Sequence, residues 1–145
     1  MDLLRAVIII IRDRKGNYFV HQRNKNKKTF PNLFGLGAGG HIEENETKEE
    51  AAKRELFEET GLKTELKYLF HKTYIGIEFN NEIDVFETKT DLEKLETENG
   101  EWQWCGWMKK KEVDNLLKEN KLCPDTAEVY KSYLDSVASC PQAAE

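Results

Sequence analysis

Residues Gly39–Leu62 read GGHIEENETKEEAAKRELFEETGL, and most of this stretch carries the signals of one helix. Thr47 followed three residues later by Glu50 has the form of a capping box, in which the hydroxyl and the carboxylate each satisfy an orphan amide of the first turn. Gly61 supplies the stop, because glycine closes a helix in the left-handed conformation at little steric cost. Alanine, lysine, arginine, leucine and glutamate between them are all good helix formers. On that helix, spacings of three and four residues put the carboxylates of Glu55, Glu58 and Glu59 within one sector of roughly 100°. Ala51 and Ala52 project into the same sector one turn earlier, so little bulk blocks approach to it.

Such a face is unfavourable on its own. Like charges at these spacings cost about 0.2–0.5 kcal/mol per pair. Glu58 and Glu59 also sit in the last turn, where the helix dipole disfavours negative charge by about 0.3–1 kcal/mol. Arg54 offsets part of this through an i,i+4 pair with Glu58 but cannot neutralise three carboxylates. A hard divalent cation can, and Mg²⁺ and Mn²⁺ favour oxygen ligands of this kind. Charge alone favours the plainer reading of a solvated acidic face in a glutamate-rich chain.

The full spacing separates these readings. The order is Gly40, five residues, Glu46, seven residues, Arg54-Glu55-Leu56, Phe57, Glu58-Glu59, Thr60, Gly61-Leu62. It resembles the Nudix box, GX5EX7REUXEEXGU with U a bulky aliphatic residue, at every specified position. For a chain with 20 Glu, 9 Gly and 5 Arg in 145 residues, a chance match is on the order of one in a million, which is the false-positive risk such a motif carries. The resemblance implies an α+β fold, an α/β/α sandwich around a mixed β-sheet. It also implies a Mg²⁺- or Mn²⁺-dependent pyrophosphohydrolase that attacks, with water, a phosphoanhydride in a nucleoside diphosphate linked to another group.

Site residues follow from the resemblance position by position. Glu58 and Glu59 are similar to the principal metal ligands, with the backbone carbonyl of Gly39 as a further one. Glu55 matches the glutamate assigned as general base or additional ligand. Arg54 is expected to orient the carboxylates, and Glu46 to pair with it. Gly39 and Gly40 would let the chain come close to the ion, and Gly61 ends the helix. Many family members add a glutamate from a loop outside the box; Glu98 and Glu101 are the candidates, with Glu101 preferred. Arg23, at the end of the second strand, is the candidate substrate-facing cation. Phe34, Trp102 or Trp104 could stack on a base, worth about 1–3 kcal/mol, whereas Trp107 reads as core. Lys25, Lys27 and Lys28 read as solvent-facing, and His21, His41 and His71 have no metal-ligand spacing.

Composition bounds the rest. A chain of 145 residues matches one domain spanning 1–145 and can bury roughly two-thirds of its unfolded surface. A net charge of −5 argues against a nucleic-acid polymer as the main partner, because nonspecific affinity needs a basic footprint. It does not argue against a small nucleotide or diphosphate, since bound cations reverse the local sign. Cys105, Cys123 and Cys140 are odd in number and form no CxxC pair, which favours reduced thiols in a cytoplasmic protein. The apolar run AVIIII, between Arg5 and Arg12, is too short to span a membrane and reads as a buried strand. The resemblance also admits a homodimer.

Along the chain, a strand at about residues 3–12 turns through DRKGN into a second strand, YFVHQR. TFPNLFGLGAGG follows, where four glycines within six residues rule out a regular helix. After the box come strands near 64–78 and 82–89, an acidic loop, and the aromatic strand WQWCGWM. Helices near 109–119 and 125–139 finish the chain, before a tail, residues 140–145, with little to pack. The AGGH before the box and the late LCPDTAEVYKSYL resemble Nudix proteins related to isopentenyl-diphosphate isomerase. Those isomerases place a reactive cysteine shortly before the box, and residues 29–42 contain none. Hydrolysis is therefore the leading reading. An isomerase-like enzyme acting on an isoprenoid diphosphate and a non-catalytic nucleotide-sensing module are the alternatives.

Overall fold

The computed structural model describes residues 3–97 and 100–138; Glu98 and the tail 140–145 with its Cys140 lie outside the described residues. The order of elements is β1 (Leu3–Arg12), β2 (Tyr18–Arg23), β3 (Phe34–Leu36), β4 (Ala38–His41), α1 (Lys48–Thr60), β5 (Lys67–Ile75), β6 (Asn80–Lys89), β7 (Trp102–Met108), α2 (Lys110–Lys118) and α3 (Pro124–Ala138).

The apolar run of β1 has no polar alternation because both of its faces are covered. Val7, Ile9 and Ile11 pack on one side with Phe19, Ala38, Phe86 and the α1 residues Ala51, Ala52 and Leu56. Ile8 and Ile10 pack on the other with Tyr18, Val20, Ile83 and Val85, beneath Val113 of α2 and Val129, Tyr130 and Tyr133 of α3. The result is the expected α/β/α layering. A strand buried on both faces reads as a continuous hydrophobic run.

The seven-stranded sheet is mixed. Its main path runs β3-β2-β1-β6-β5, with β4 added to β1 and β7 to β2. β1 and β6 are parallel over ten residue pairs, from Leu3↔Asn80 to Arg12↔Lys89, and the other pairings are antiparallel. The glycine-rich segment is not helical, as expected, but it holds two short strands that the sequence reading left unassigned. Between them Gly37 adopts φ +60°, and the chain steps from the edge of β2 to that of β1. That step sets Gly39 opposite Ile8 and Gly40 opposite Val7, against the last turns of α1.

Helix α1 starts and stops as its sequence predicts. Thr47 and Glu50 make the reciprocal capping bonds, and Gly61 closes the helix at φ +75° with its N–H donated to the Phe57 carbonyl. Trp107 is less buried than expected: it packs edge-on to Phe19 at 5.5 Å between centroids and donates its indole N–H to the Glu93 carbonyl. Among the described residues, no helix is long and apolar enough to cross a membrane.

Candidate active site

Arg54 organises the acidic face. Its Nε and Nη2 donate to the two oxygens of Glu46 at 2.7 and 2.9 Å, a bidentate pair, and Nη2 also reaches the His41 carbonyl at 3.1 Å. Its Nη1 donates to Glu55 at 2.7 Å and to Glu58 at 3.4 Å. One guanidinium thus ties the loop before α1 to two of the three carboxylates. The fixed fork of arginine suits this, where a lysine would offer a single point charge. These bonds hold the Glu46 carboxyl at about 2, well below its ordinary range.

The three box carboxylates differ in setting. Glu58 is open to solvent, its side chain 57 % exposed. Glu55 is 14 % exposed, and burial raises its pKa despite the opposing Arg54, with Glu58 and Glu101 adding repulsion. Glu59 turns inward and accepts the Gly39 N–H at 2.7 Å. Burial pushes its carboxyl up to about 8 even so, and Glu55, Glu101 and Glu58 push the same way. Ala51 and Ala52 do not open the face to approach, as the sequence suggested. Both are fully buried under the helix, and their small size lets α1 sit close to β1 and β4.

The paired glycines have different reasons. A Cβ on Gly39 would stand 2.6 Å from the Val7 carbonyl of β1, whereas a Cβ on Gly40 would collide with the Glu55 carboxylate. Close packing on the strand and on the carboxylate therefore gives each glycine a steric reason of its own. Gly39→Ala is accordingly expected to lower the thermal midpoint by several degrees. Gly40→Ala is expected to lower the midpoint less, because the end of a side chain can shift where backbone cannot, but to displace Glu55 from its place beside Arg54. Melting curves beside activity assays separate the two outcomes.

A cleft of about 350 Å³ runs from this face across the sheet, with Gly39, Gly40, Glu59 and Glu101 among its walls. Arg23 and Trp102 line it too. Arg23 spends its Nε and Nη2 on the Thr29 carbonyl, at 3.1 and 2.9 Å, and so folds along its own loop. Glu101 reaches Lys27 at 3.5 Å, so Lys27 is not simply solvent-facing. Phe34 is absent from the cleft wall. It packs against the core under α3 and lies edge-on to Trp104 at 6.1 Å. Of the aromatic candidates only Trp102 reaches the cleft, stacked on His21 at 4.3 Å. His21 contacts the Gly37 carbonyl through Nδ1 at 2.8 Å, and burial lowers its pKa to about 4, which keeps it neutral.

Sequence reasoning missed two polar residues of the same wall. Asn81 of β6 is 6 % exposed, and its Oδ1 finds no hydrogen-bond partner among the described residues. Asp125 of α3 accepts the Thr126 N–H at 2.9 Å, and burial raises its pKa. Nothing in the local pattern marks Asn81, because its burial depends on strand register. Cys123 also borders the cleft, and burial pushes its thiol up to about 12.

The donor set fits a hard divalent cation: carboxylate and carbonyl oxygens, with more carboxyl groups close together than the single Arg54 guanidinium can pair. Among the described residues, no three such groups are already arranged as a cation cage, because Glu59 faces the Gly39 N–H and Glu58 faces outward.

The family model described as NUDIX domain matches residues 2–133. The chain belongs to the Nudix family. An uncharacterized Nudix hydrolase of Streptomyces coelicolor, SCO1686, is 29 % identical over 129 residues, covering 87 % of this chain and 71 % of that one. Another of Listeria monocytogenes, lmo0368, is 32 % identical over 75 residues, covering 48 % of this chain and 44 % of the relative. The match thus spans less than half the length of the Listeria protein. Among solved structures, DR0079 of Deinococcus radiodurans superposes with a TM-score of 0.77 at 21 % identity, over 89 % of this chain and 82 % of that one. The NUDIX domain of Shewanella oneidensis NrtR, solved with ADP ribose, gives 0.75 at 16 % identity, over 93 % and 88 %. These likenesses establish the Nudix fold. The Nudix box of this chain occupies the loop and helix from Gly40 to Leu62, beside the cleft.

Proposed function

We propose that this Nudix protein is a Mg²⁺- or Mn²⁺-dependent pyrophosphohydrolase acting on a nucleoside diphosphate linked to a further group. The observation that carries the reading is the convergence of Glu59 and Glu101 on a cleft that also holds Arg23, with the Glu55 carboxylate beside its Gly40 wall and repelling both. Glu55 and Glu59 are sheltered while Glu101 is exposed, and sheltered like charges without full neutralisation are costly unless a ligand offsets them. Divalent cations at such a site neutralise phosphate oxygens and lower the pKa of a bound water.

In this reading Glu58, Glu59 and the Gly39 carbonyl hold the cation, and Glu55 acts as a further ligand or receives a proton from the attacking water. Arg54 keeps Glu55 and Glu58 aimed by its fixed fork. Glu101 adds negative charge from the β7 side, and Arg23, released from Thr29, meets the substrate phosphates. The ADP ribose bound to the Shewanella domain is a nucleotide-linked ligand of the class proposed here. The isomerase-like alternative gains little from Cys123: a thiol whose pKa stands near 12 is a poor source of thiolate.

The test is phosphate release, with coupled pyrophosphatase, from a panel of nucleoside triphosphates, ADP ribose, dinucleoside polyphosphates and isopentenyl diphosphate. Release from a nucleotide that needs Mg²⁺ or Mn²⁺ and stops with EDTA is the expected result. Consumption of isopentenyl diphosphate without phosphate release would instead favour the isomerase.

Metal removal also has a pH signature. The folded-state pKa of Glu59, about 8, stands above its ordinary 4.5, so between these values the folded protein binds more protons than the unfolded chain. Stability of the metal-free protein is therefore expected to fall as pH rises from about 4.5 to 8 and to level off above. Melting curves in EDTA across this range should show the decline, and Mg²⁺ should flatten it.

A further inference from the structure

Asn81 and Asp125 come from separate elements, β6 and the start of α3, and line the same cleft as Glu59. Burial raises the Asp125 pKa, and the Asn81 amide opposes this by hydrogen bonding that favours the charged form, which an amide does only through its N–H end. Its Nδ2 therefore faces the carboxylate, which leaves Oδ1 as a buried acceptor with no partner among the described residues. Asp125 has one oxygen on the Thr126 N–H and keeps further acceptor capacity. The pair thus offers neighbouring acceptors. Phe30 and Phe79, edge-on to each other at 5.5 Å, add aromatic wall to the same cleft.

The strand register sets the distance to the acidic face. Gly39 is opposite Ile8 on β1 and Asn81 is opposite Leu4, a separation of about 13 Å along the strand at the usual rise. A nucleotide with its phosphates at Glu59 would extend its base in this direction.

We propose that Asn81 and Asp125 are the base-reading residues of the cleft, and that they select an edge presenting two adjacent donors, a ring N–H beside an exocyclic amino group. Guanine has that edge; adenine and cytosine place an acceptor beside their amino group, and uracil flanks its N–H with carbonyls. Two acceptors repel those edges, and a site built around such bonds rejects a ligand that leaves them unpaired. The inference rests on the hydrolase reading for the placement of the phosphates, but its test does not require turnover.

The experiment is calorimetric titration of GMP, IMP, AMP, CMP and UMP into the EDTA-treated protein. Mononucleotides have no phosphoanhydride to cleave, so hydrolysis plays no part. IMP differs from GMP only in lacking the 2-amino group. GMP is expected to bind about tenfold more tightly than IMP or any of the others. In Asp125→Asn, a near-isosteric change, and in Asn81→Ala, that preference should shrink to about threefold or less, with folding confirmed by melting curves. A purely structural role for the pair would lower stability in the variants without altering the preference. Equal affinity for GMP and IMP, a preference unchanged in both variants, or no binding of any mononucleotide would overturn the proposal. Failure of the phosphate-release panel with the guanine preference intact would count against the hydrolase reading alone.

Discussion

Glu58→Gln is expected to lower kcat/KM by about a thousandfold, the upper range for removing one group that stabilises developing charge, while leaving the fold intact. The side chain is 57 % exposed and approaches Arg54 at 3.4 Å. A substitution at such a position changes stability by about 0.5 kcal/mol or less. The two readouts therefore separate cleanly, with turnover collapsing while the melting temperature moves by no more than about 2 °C. Near-wild-type turnover at saturating Mg²⁺ would remove Glu58 from the proposed ligand set.

Arg54→Ala should do the opposite damage. Glu46 and Glu55 are only 13 % and 14 % exposed, and both lose their main counter-charge when the guanidinium goes. Leaving partly buried carboxylates unpaired is expected to cost about 2–4 kcal/mol. For a chain of this length that is a drop of roughly 6–12 °C in melting temperature. The loop carrying His41 and Glu46 would also lose its tie to α1, so turnover should fall as well. Arg54→Lys restores charge but not the fork, because one ammonium cannot hold both oxygens of Glu46 and also reach Glu55. It should recover less than half of the lost stability. An unchanged melting temperature in Arg54→Ala would mean that these short contacts contribute nothing net.

The sequence was most informative where structure is local. The ends of α1 and the Glu46–Arg54 pair depend on residues within eight positions of each other, and both stand where the pattern placed them. The double burial of β1 was legible from its unbroken apolar run. Spatial relations between distant segments were not. Ala51 and Ala52 look the same in sequence whether they open a face or press it against a sheet. Phe34 precedes the box at a suggestive distance, yet pairing of β3 with β2 turns its ring toward Trp104 and the core. Asn81 becomes a cleft residue only through the parallel pairing of β6 with β1, and Asp125 joins it only because α3 packs over that end of the sheet.

The most direct measurement of the central claim, that the acidic end of the cleft is a divalent-cation site, is Mn²⁺ titration followed by electron paramagnetic resonance. Wild type, Glu58→Gln, Glu59→Gln and the remote control Glu119→Gln would be compared at pH 8.5, above the raised pKa of Glu59. The account predicts saturable Mn²⁺ binding by wild type and the control, weakened about tenfold or more in each of the two box variants. Identical binding by all four proteins, or none by wild type, would contradict it.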